Sequence, residues 1–265
     1  MTLKELERAL HLAGLSAPAH WHEITGSTNA LAVGLADDGA PEWSLVGAGH
    51  QTAGRGRLGR TWIDRPGGSL MTSLVLRLSM APDDLGLLTL LAGAAWAEAA
   101  TEVTGHEVRC KWPNDLLIGE AKAGGVLAES SVVSDQVRWV VIGSGLNLAA
   151  PEVEHHDEHD VEHHDEPSVL EVTSLGSEVD RVALLGGFLS RFRRGYHAPP
   201  HQLAAEVVAR WSEVSSTLGR VVSAVGTDGV RREGLAIAVD ASGRLVLETA
   251  DGPAAVASHE VEHLR

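Results

Sequence analysis

Cysteine, positive charge and uninterrupted apolar sequence are all scarce in this chain. One cysteine among 265 residues excludes an internal disulfide, and its place in Val108-Arg109-Cys110 marks a small buried strand residue rather than a reactive thiol. Lysine and arginine total 21 against 36 aspartates and glutamates, and the resulting net charge of −15 opposes general binding to nucleic acid. The longest apolar stretch, Leu85 to Ala100, is broken by Glu98 and preceded by Asp83 and Asp84, so it reads as a buried helix and not a membrane span. No basic segment followed by an apolar one opens the chain. The expectation is a protein of the reducing cytoplasm without membrane attachment.

Two familiar phosphate-binding signatures are missing as well. Gly143-Ser144-Gly145-Leu146-Asn147 lacks the last glycine of a dinucleotide fingerprint, and no helical pattern follows it at once. Gly49 to Gly54 runs into Arg55 where a P-loop needs Lys-Ser/Thr. There is no internal repeat. What the chain does have is Gly54-Arg55-Gly56-Arg57-Leu58-Gly59-Arg60-Thr61-Trp62, three glycines alternating with three arginines. Glycine lets backbone N–H groups approach a ligand, and guanidinium offers a planar fork of donors to carboxylate or phosphate. An RGG-like nucleic-acid tail is the alternative. Against it, the loop lies between a strand-like run, Leu45 to Ala48, and an alternating one, Ser69 to Leu78. Four arginines between Arg55 and Arg65 make a basic spot on an acidic molecule, which favours a small anionic ligand.

Residues 1–20 hold one short amphipathic pattern, Leu3, Leu6 and Leu10, a helical extension too small for a winged helix. Residues 21–216 mix strands and helices. Ser27-Thr28-Asn29 reads as a helix N-cap, and Pro82-Asp83-Asp84 opens the long helix. Strands are predicted at Val108 to Trp112, Gly125 to Val133 and Val137 to Leu146, and helices at Val182 to Arg194 and His201 to Ser215. Residues 217–265 change to short alternating strands with turn glycines, which predicts a small β-barrel. Between them, residues 151–167 carry eight acids, five histidines and no lysine or arginine, leaving −7 for the rest of the chain. The histidine spacing invites a zinc or nickel reading, but a segment so acidic and so poor in apolar partners is better read as a solvated, disordered loop.

Two further stretches carry polar chemistry. Lys111-Trp112-Pro113-Asn114-Asp115 ends a strand in a rigid turn, and Lys122-Ala123-Gly124-Gly125 sets a lysine before a glycine pair where a strand departs. Alone, each is equally an ordinary turn or a surface lysine.

Taken in order, Ser27-Thr28-Asn29, Gln51-Thr52-Ala53 with the glycine-arginine loop through Trp62, Lys111 to Asp115, Lys122 to Gly125 and Gly143 to Asn147 closely resemble the catalytic domain of biotin protein ligases over about residues 20 to 265. The resemblance implies an α+β fold, a mixed-sheet catalytic domain like that of class II synthetases with a C-terminal SH3-like β-barrel. It implies that biotin and ATP form biotinyl-5′-AMP and that the biotinyl group passes to one lysine of a biotin carboxyl carrier domain. It assigns Ser27, Thr28, Asn29, Gln51, Gly54, Arg55, Gly56, Arg57, Lys122 and Gly125 to biotin, and Arg60, Trp62, Lys111, Asn114 and Asn147 to ATP. Regulatory relatives carry an N-terminal winged helix, and Ser27 comes early for one. The expectation is a ligase without DNA binding, a monomer or weak homodimer.

Chemistry supports this division. A carboxylate attacking an α-phosphate brings two anions together, and Arg57, Lys122 and Lys111 supply a compensating field. Mg2+ is expected on the ATP phosphates, with no catalytic metal cluster in the matched motifs. A glycine-hinged loop would shield the acyl adenylate from water. Asp115 is the candidate to take up the incoming lysine's proton, or else a turn-stabilising carboxylate. The alternatives are a lipoate-type ligase, a non-enzymatic biotin-responsive regulator and, weakest, an RNA-binding protein.

Overall fold

The leucine spacing near the N-terminus produces α1 (Leu3–Leu12), whose Thr2 cap accepts from the Glu5 N–H and whose Leu6, Ala9 and Leu10 are buried. The computed structural model describes residues 1–78, 80–149, 171–198, 200–226 and 229–264. The acidic stretch 151–167 lies outside them, and with it the disordered-loop and metal readings. Among the described residues no helix is long and apolar enough to cross a membrane.

Seven strands make the main sheet: β1 (Ala19–His22), β2 (Leu45–Ala48), β3 (Ser69–Leu76), β4 (Val108–Lys111), β5 (Asp115–Ile118), β6 (Ala121–Val133) and β7 (Gln136–Asn147). Their order is β1-β2-β3-β7-β6-β5-β4. β1 and β2 pair in parallel and the remaining neighbours antiparallel, which gives the expected α+β fold with a mixed sheet. The sequence did not reveal β1 or β5, each only four residues long.

Alternation along the strands separates the two faces. Ser144 and Leu146 of β7 face α3 (Gly86–Thr104), where the Trp96 indole N–H donates to Ser144 Oγ at 2.8 Å. That helix is buried on nearly every side by the sheet, α4 (Arg181–Tyr196) and α5 (Pro200–Glu213). Trp96 stacks on Phe188 of α4 with centroids 3.9 Å apart. Each large apolar side chain fully buried here contributes about 1.5–3 kcal/mol. The opposite face carries α2 (Thr28–Asp37), whose Ala32 and Ala36 pack on Val46, Val75, Trp139 and Val141. Beyond α2 the same face continues as small and polar residues. Met71 and Ser73 lie opposite Gly145 and Gly143, which in turn lie opposite Gly125 and Leu127, and Asp115 is opposite Gly125.

β8 (Val221–Gly226), β9 (Arg231–Val239), β10 (Leu245–Thr249), β11 (Gly252–Val256) and β12 (Ser258–His263) form a second antiparallel sheet, ordered β11-β10-β9-β8-β12. In the described residues the predicted barrel is an open five-stranded sheet, with no ladder joining β11 to β12. It meets the main sheet at the β4–β5 turn. The Trp112 N–H donates to Thr217 Oγ1 at 2.9 Å and its indole to Gly243 O at 3.0 Å, while Arg220 pairs with Glu120 at 2.6 Å. The Trp112–Pro113 peptide bond is cis.

Candidate functional site

One end of the polar face is a closed hydrogen-bond network at the start of α2. Ser27 caps the helix, accepting from the Ala30 N–H at 3.5 Å. The Thr28 N–H and hydroxyl both donate to Gln51 Oε1, at 2.6 and 3.0 Å. Ser73, fully buried on β3, directs its hydroxyl at Asn29 Oδ1 (2.6 Å) and Thr28 Oγ1 (2.9 Å). The Asn29 amide donates to Glu129 Oε2 at 2.8 Å and Leu127 O at 3.3 Å. A Cβ at Gly143 would sit 1.9 Å from Asn29 Oδ1, so the strand must be bare where this side chain crosses it. Gln51 is held in turn by Asp64, whose Oδ1 accepts its N–H at 3.4 Å, and by Met71 Sδ, 3.1 Å from its side-chain amide.

The glycine-arginine loop rises beside this network over a hollow of about 700 Å³ lined by Thr52 to Thr61, Leu127 and Glu129. At its tip Leu58 and Gly59 both have positive φ, 58° and 75°. Gly54 is required by close approach: a Cβ there would lie 2.5 Å from Trp62 O. Arg55 pairs with Glu129 at 3.0 Å, and Arg57 donates to Asn114 Oδ1 at 3.3 Å. Asn114 is locked to β6 by the reciprocal bonds Asn114 Nδ2 to Val126 O and Val126 N to Asn114 O. Next to it, Asp115 Oδ1 contacts Lys122 Nζ at 2.6 Å. Arg57, Asn114, Asp115 and Lys122 therefore form one chain of contacts leading away from the loop. Over this chain Gly125 is bare, yet a Cβ there would make only ordinary contacts of 3.5 Å and more. Packing within the protein does not by itself demand glycine at 125.

Trp62 lies against Gly145, its ring atoms 2.7 Å from where a Cβ would be. Its indole nitrogen is, among the described residues, the one buried side-chain N or O without a hydrogen-bond partner. Asn147 turns its amide to Thr173 O (3.1 Å) and Lys122 O (3.5 Å), pinning the Lys122 backbone. Gly56 donates its N–H to Arg60 O at 2.7 Å, which folds the loop tip back on itself. Lys111 is buried on β4, and its charge is felt at Glu120 and His263 beside the C-terminal sheet. Burial, with the Lys111 and Arg220 charges, lowers the His263 pKa to about 4. The Arg220 hydrogen bond holds Glu120 below its ordinary value, and burial drives the Cys110 thiol far above the usual range, as a non-reactive cysteine requires.

The structure thus brings Ser27, Thr28, Asn29 and Gln51 together, and separately Arg57, Asn114, Asp115 and Lys122. Sequence reasoning missed Ser73, Met71, Asp64 and Glu129. Only strand register could have found the first two, since each lies on the face of β3 that opposes the β7 glycines.

Neutral hydrogen-bonding groups at the start of α2 and the Arg57 and Lys122 contacts near the β5 turn thus lie at two places along the sheet. The comparisons narrow this further. Residues 22–147 match the Biotin/lipoate A/B protein ligase family. The chain is 34% identical to the biotin–[acetyl-CoA-carboxylase] ligase of Mycobacterium tuberculosis, over 98% of this chain and 96% of that protein. It is 32% identical to the bifunctional ligase/repressor BirA of Bacillus subtilis, over 91% of this chain and 73% of that one. The fold matches the Aquifex aeolicus biotin protein ligase solved with biotin and ATP, with a TM-score of 0.68, 22% identity, and coverage of 93% and 99%. The chain belongs to the biotin protein ligase family.

Proposed function

We propose that this chain is an ATP-dependent biotin protein ligase that makes biotinyl-5′-AMP and transfers the biotinyl group to a lysine of a carboxylase carrier domain. The observation that carries this reading is the sheet register, which sets Gly125, beside Asp115 and Lys122, on the same face of β6 as Leu127 and Glu129, the partners of Asn29. The Ser27–Asn29, Gln51 and Ser73 network offers fixed hydrogen-bonding groups to a neutral ring, and the Arg57–Asn114–Asp115–Lys122 chain faces the anions. In the first step a biotin carboxylate oxygen attacks the α-phosphorus as the bond to pyrophosphate breaks. Lys122 and Arg57 stabilise the charge gathering on the phosphoryl oxygens. In the second step the carrier amine attacks the acyl carbon, AMP departs, and the amine loses a proton. Asp115 orients the Lys122 ammonium and stands where that proton can be received.

For ATP, Arg60, Lys111, Asn114 and Asn147 are assigned to the nucleotide and Trp62 to stacking on adenine. Magnesium would come as an ion carried in on the nucleotide phosphates rather than one held by this chain's carboxylates. Asp115 and Glu129 are already paired with Lys122 and Arg55, and no three His, Cys, Asp or Glu side chains cluster among the described residues. Bound there, it would neutralise the departing pyrophosphate. The C-terminal sheet is read as an SH3-like module starting near residue 217.

The test is incubation with biotin, MgATP and a purified carrier domain, with the carrier's mass measured afterwards. Gain of one biotinyl group per carrier is expected. Equal loading from lipoic acid in competition would point instead to a lipoate-type ligase, and no adduct would reject the proposal.

A further inference from the structure

Among the described residues Glu129 supplies the one carboxylate in the wall of the loop hollow, and a single oxygen of it accepts two hydrogen bonds. Oε2 accepts from Asn29 Nδ2 at 2.8 Å and from the Arg55 guanidinium at 3.0 Å. The donors come from opposite sides: Asn29 from the buried network on α2, Arg55 from the exposed loop. Glu129 itself stands on β6, two residues past Leu127, whose carbonyl takes the Asn29 amide as well.

The consequence for Asn29 is directional. With its amide N–H groups directed at Glu129 and Leu127, the side chain is fixed with Oδ1 on the other side, toward Ser73. A carbonyl oxygen has two acceptor positions, so Oδ1 can take a ligand N–H besides the Ser73 hydroxyl. For Arg55 the consequence is electrostatic. Its guanidinium is held 3.0 Å from the carboxylate, a charge-assisted contact that ties the loop to β6.

We infer that Glu129 is a positioning residue for the head of the acid substrate: it sets Asn29 as an acceptor and ties the loop to β6 beside that end through Arg55. The inference rests on the ligase reading above. Taken as an isolated surface ion pair, Arg55–Glu129 would be worth little, since the two side chains are 46% and 28% exposed. What changes the weighing is the shared oxygen, because Asn29 is 4% exposed and loses its preferred partner when the carboxylate goes.

The experiment compares steady-state KM and kcat for biotin in the full-length wild type, Glu129→Gln, Glu129→Ala, Arg55→Ala and the Glu129→Ala/Arg55→Ala double variant. Loop hydrogen exchange is followed alongside. Glu129→Gln keeps an oxygen for Asn29 and loses the ion pair, so KM for biotin should rise about fivefold. Glu129→Ala loses both and should raise it about thirtyfold, with kcat within about threefold in each case. Adding Arg55→Ala to Glu129→Ala should change KM by less than about twofold, since their shared contact is already gone. Loop exchange with biotin bound should quicken in all four variants. If KM stays within twofold in Glu129→Ala, if the two single effects multiply in the double, or if kcat falls while KM holds, the inference is wrong. A wild type that never loads the carrier would instead remove the ligase reading, and the same runs separate that failure from this one.

Discussion

The head end of the site keeps Ser27, Thr28 and Asn29 at 4–5% exposure, each bonded to a neighbour on a strand or helix, whereas the loop end sets Leu58 at 57% exposure on a left-handed backbone. Both lie against one face of one sheet. On the proposed reading, the contrast is a division of the recognition work. A neutral ring can be read by groups already satisfied and fixed in place, because little reorganisation is needed when it arrives. The reacting anions need a cover that opens for substrates and products and closes during chemistry, so that end is built from glycine and from side chains that reach their partners through solvent.

If this division is right, the largest effects come from the anion end. Lys122→Ala removes the ammonium and leaves Asp115 unpaired, turning an attractive pair into a lone carboxylate beside the phosphate. Loss of one such group commonly costs about 2–4 kcal/mol in the transition state, roughly 30- to 1000-fold in rate. Arg57→Ala should fall in the same range, with kcat reduced more than KM is raised. Pyrophosphate release and transfer from preformed biotinyl-AMP, assayed separately, should both be slowed in Lys122→Ala. Normal rates in both would return Lys122 to an ordinary surface lysine.

At the head end the expected loss is smaller and of another kind. Ser73→Ala removes the hydroxyl that contacts both Asn29 Oδ1 and Thr28 Oγ1 in a fully buried position, which should cost about 1–2 kcal/mol of stability. Biotin KM should rise with kcat nearly held, and denaturant unfolding with a biotin titration would show both. A fall in kcat alone would mean the two ends are not separable.

Hydrogen exchange gives the same contrast without mutation. Amides at residues 54–60 should exchange quickly in the free protein and become protected with biotin and MgATP, while those at the start of α2 should be slow in both states. Equal protection of the loop with and without ligand would mean a preformed cover, and the comparison between the two ends would lose its dynamic half.

The loop was legible in the sequence because its chemistry is contiguous: charge and glycine in one run have few structural uses; the Lys111–Asp115 turn and Lys122, ambiguous alone, took their roles only from the resemblance. Ser73 and Glu129 were not. A polar residue in an alternating strand reads as the solvent face, and here that face is covered by α2 and the loop, so only the pairing of β3, β7 and β6 shows what Ser73 meets. The same limit applies to Lys111. Its type and motif placed it with the nucleotide residues, but its charge also acts on Glu120 and His263, partners far apart in sequence. The C-terminal strands could be read from alternation, whereas whether five strands close is set by edge pairing, which alternation does not encode.

The smallest expected effect concerns how the anion end is braced from behind. Thr217 Oγ1 accepts from the Trp112 N–H, which leaves its hydroxyl proton for His263 Nε2, 3.1 Å away. That arrangement needs a neutral imidazole, and burial with the nearby Lys111 and Arg220 charges provides it by lowering the pKa from 6.5 to about 4. Between those two values the unfolded chain takes up a proton that the folded chain refuses, so stability falls as pH drops through this window and is fully recovered above about 6.5. Below about 4 both states hold the proton and this group adds no further slope. Glu120, whose pKa is lowered by Arg220, also loses its contribution on acidification, but below its ordinary value of 4.5, so the interval above that isolates the histidine. With about 2–4 °C of Tm per kcal/mol for a chain of this size, and with solvent screening around a ring that is not fully buried, a loss of a few degrees between pH 6.5 and 4.5 is expected. His263→Gln keeps an acceptor for Thr217 and cannot titrate, so its melting curve should be flatter across that interval. Identical slopes in both proteins would show that His263 does not brace the Trp112 turn, and that the C-terminal sheet supports the anion end through Gly243 and Arg220 alone.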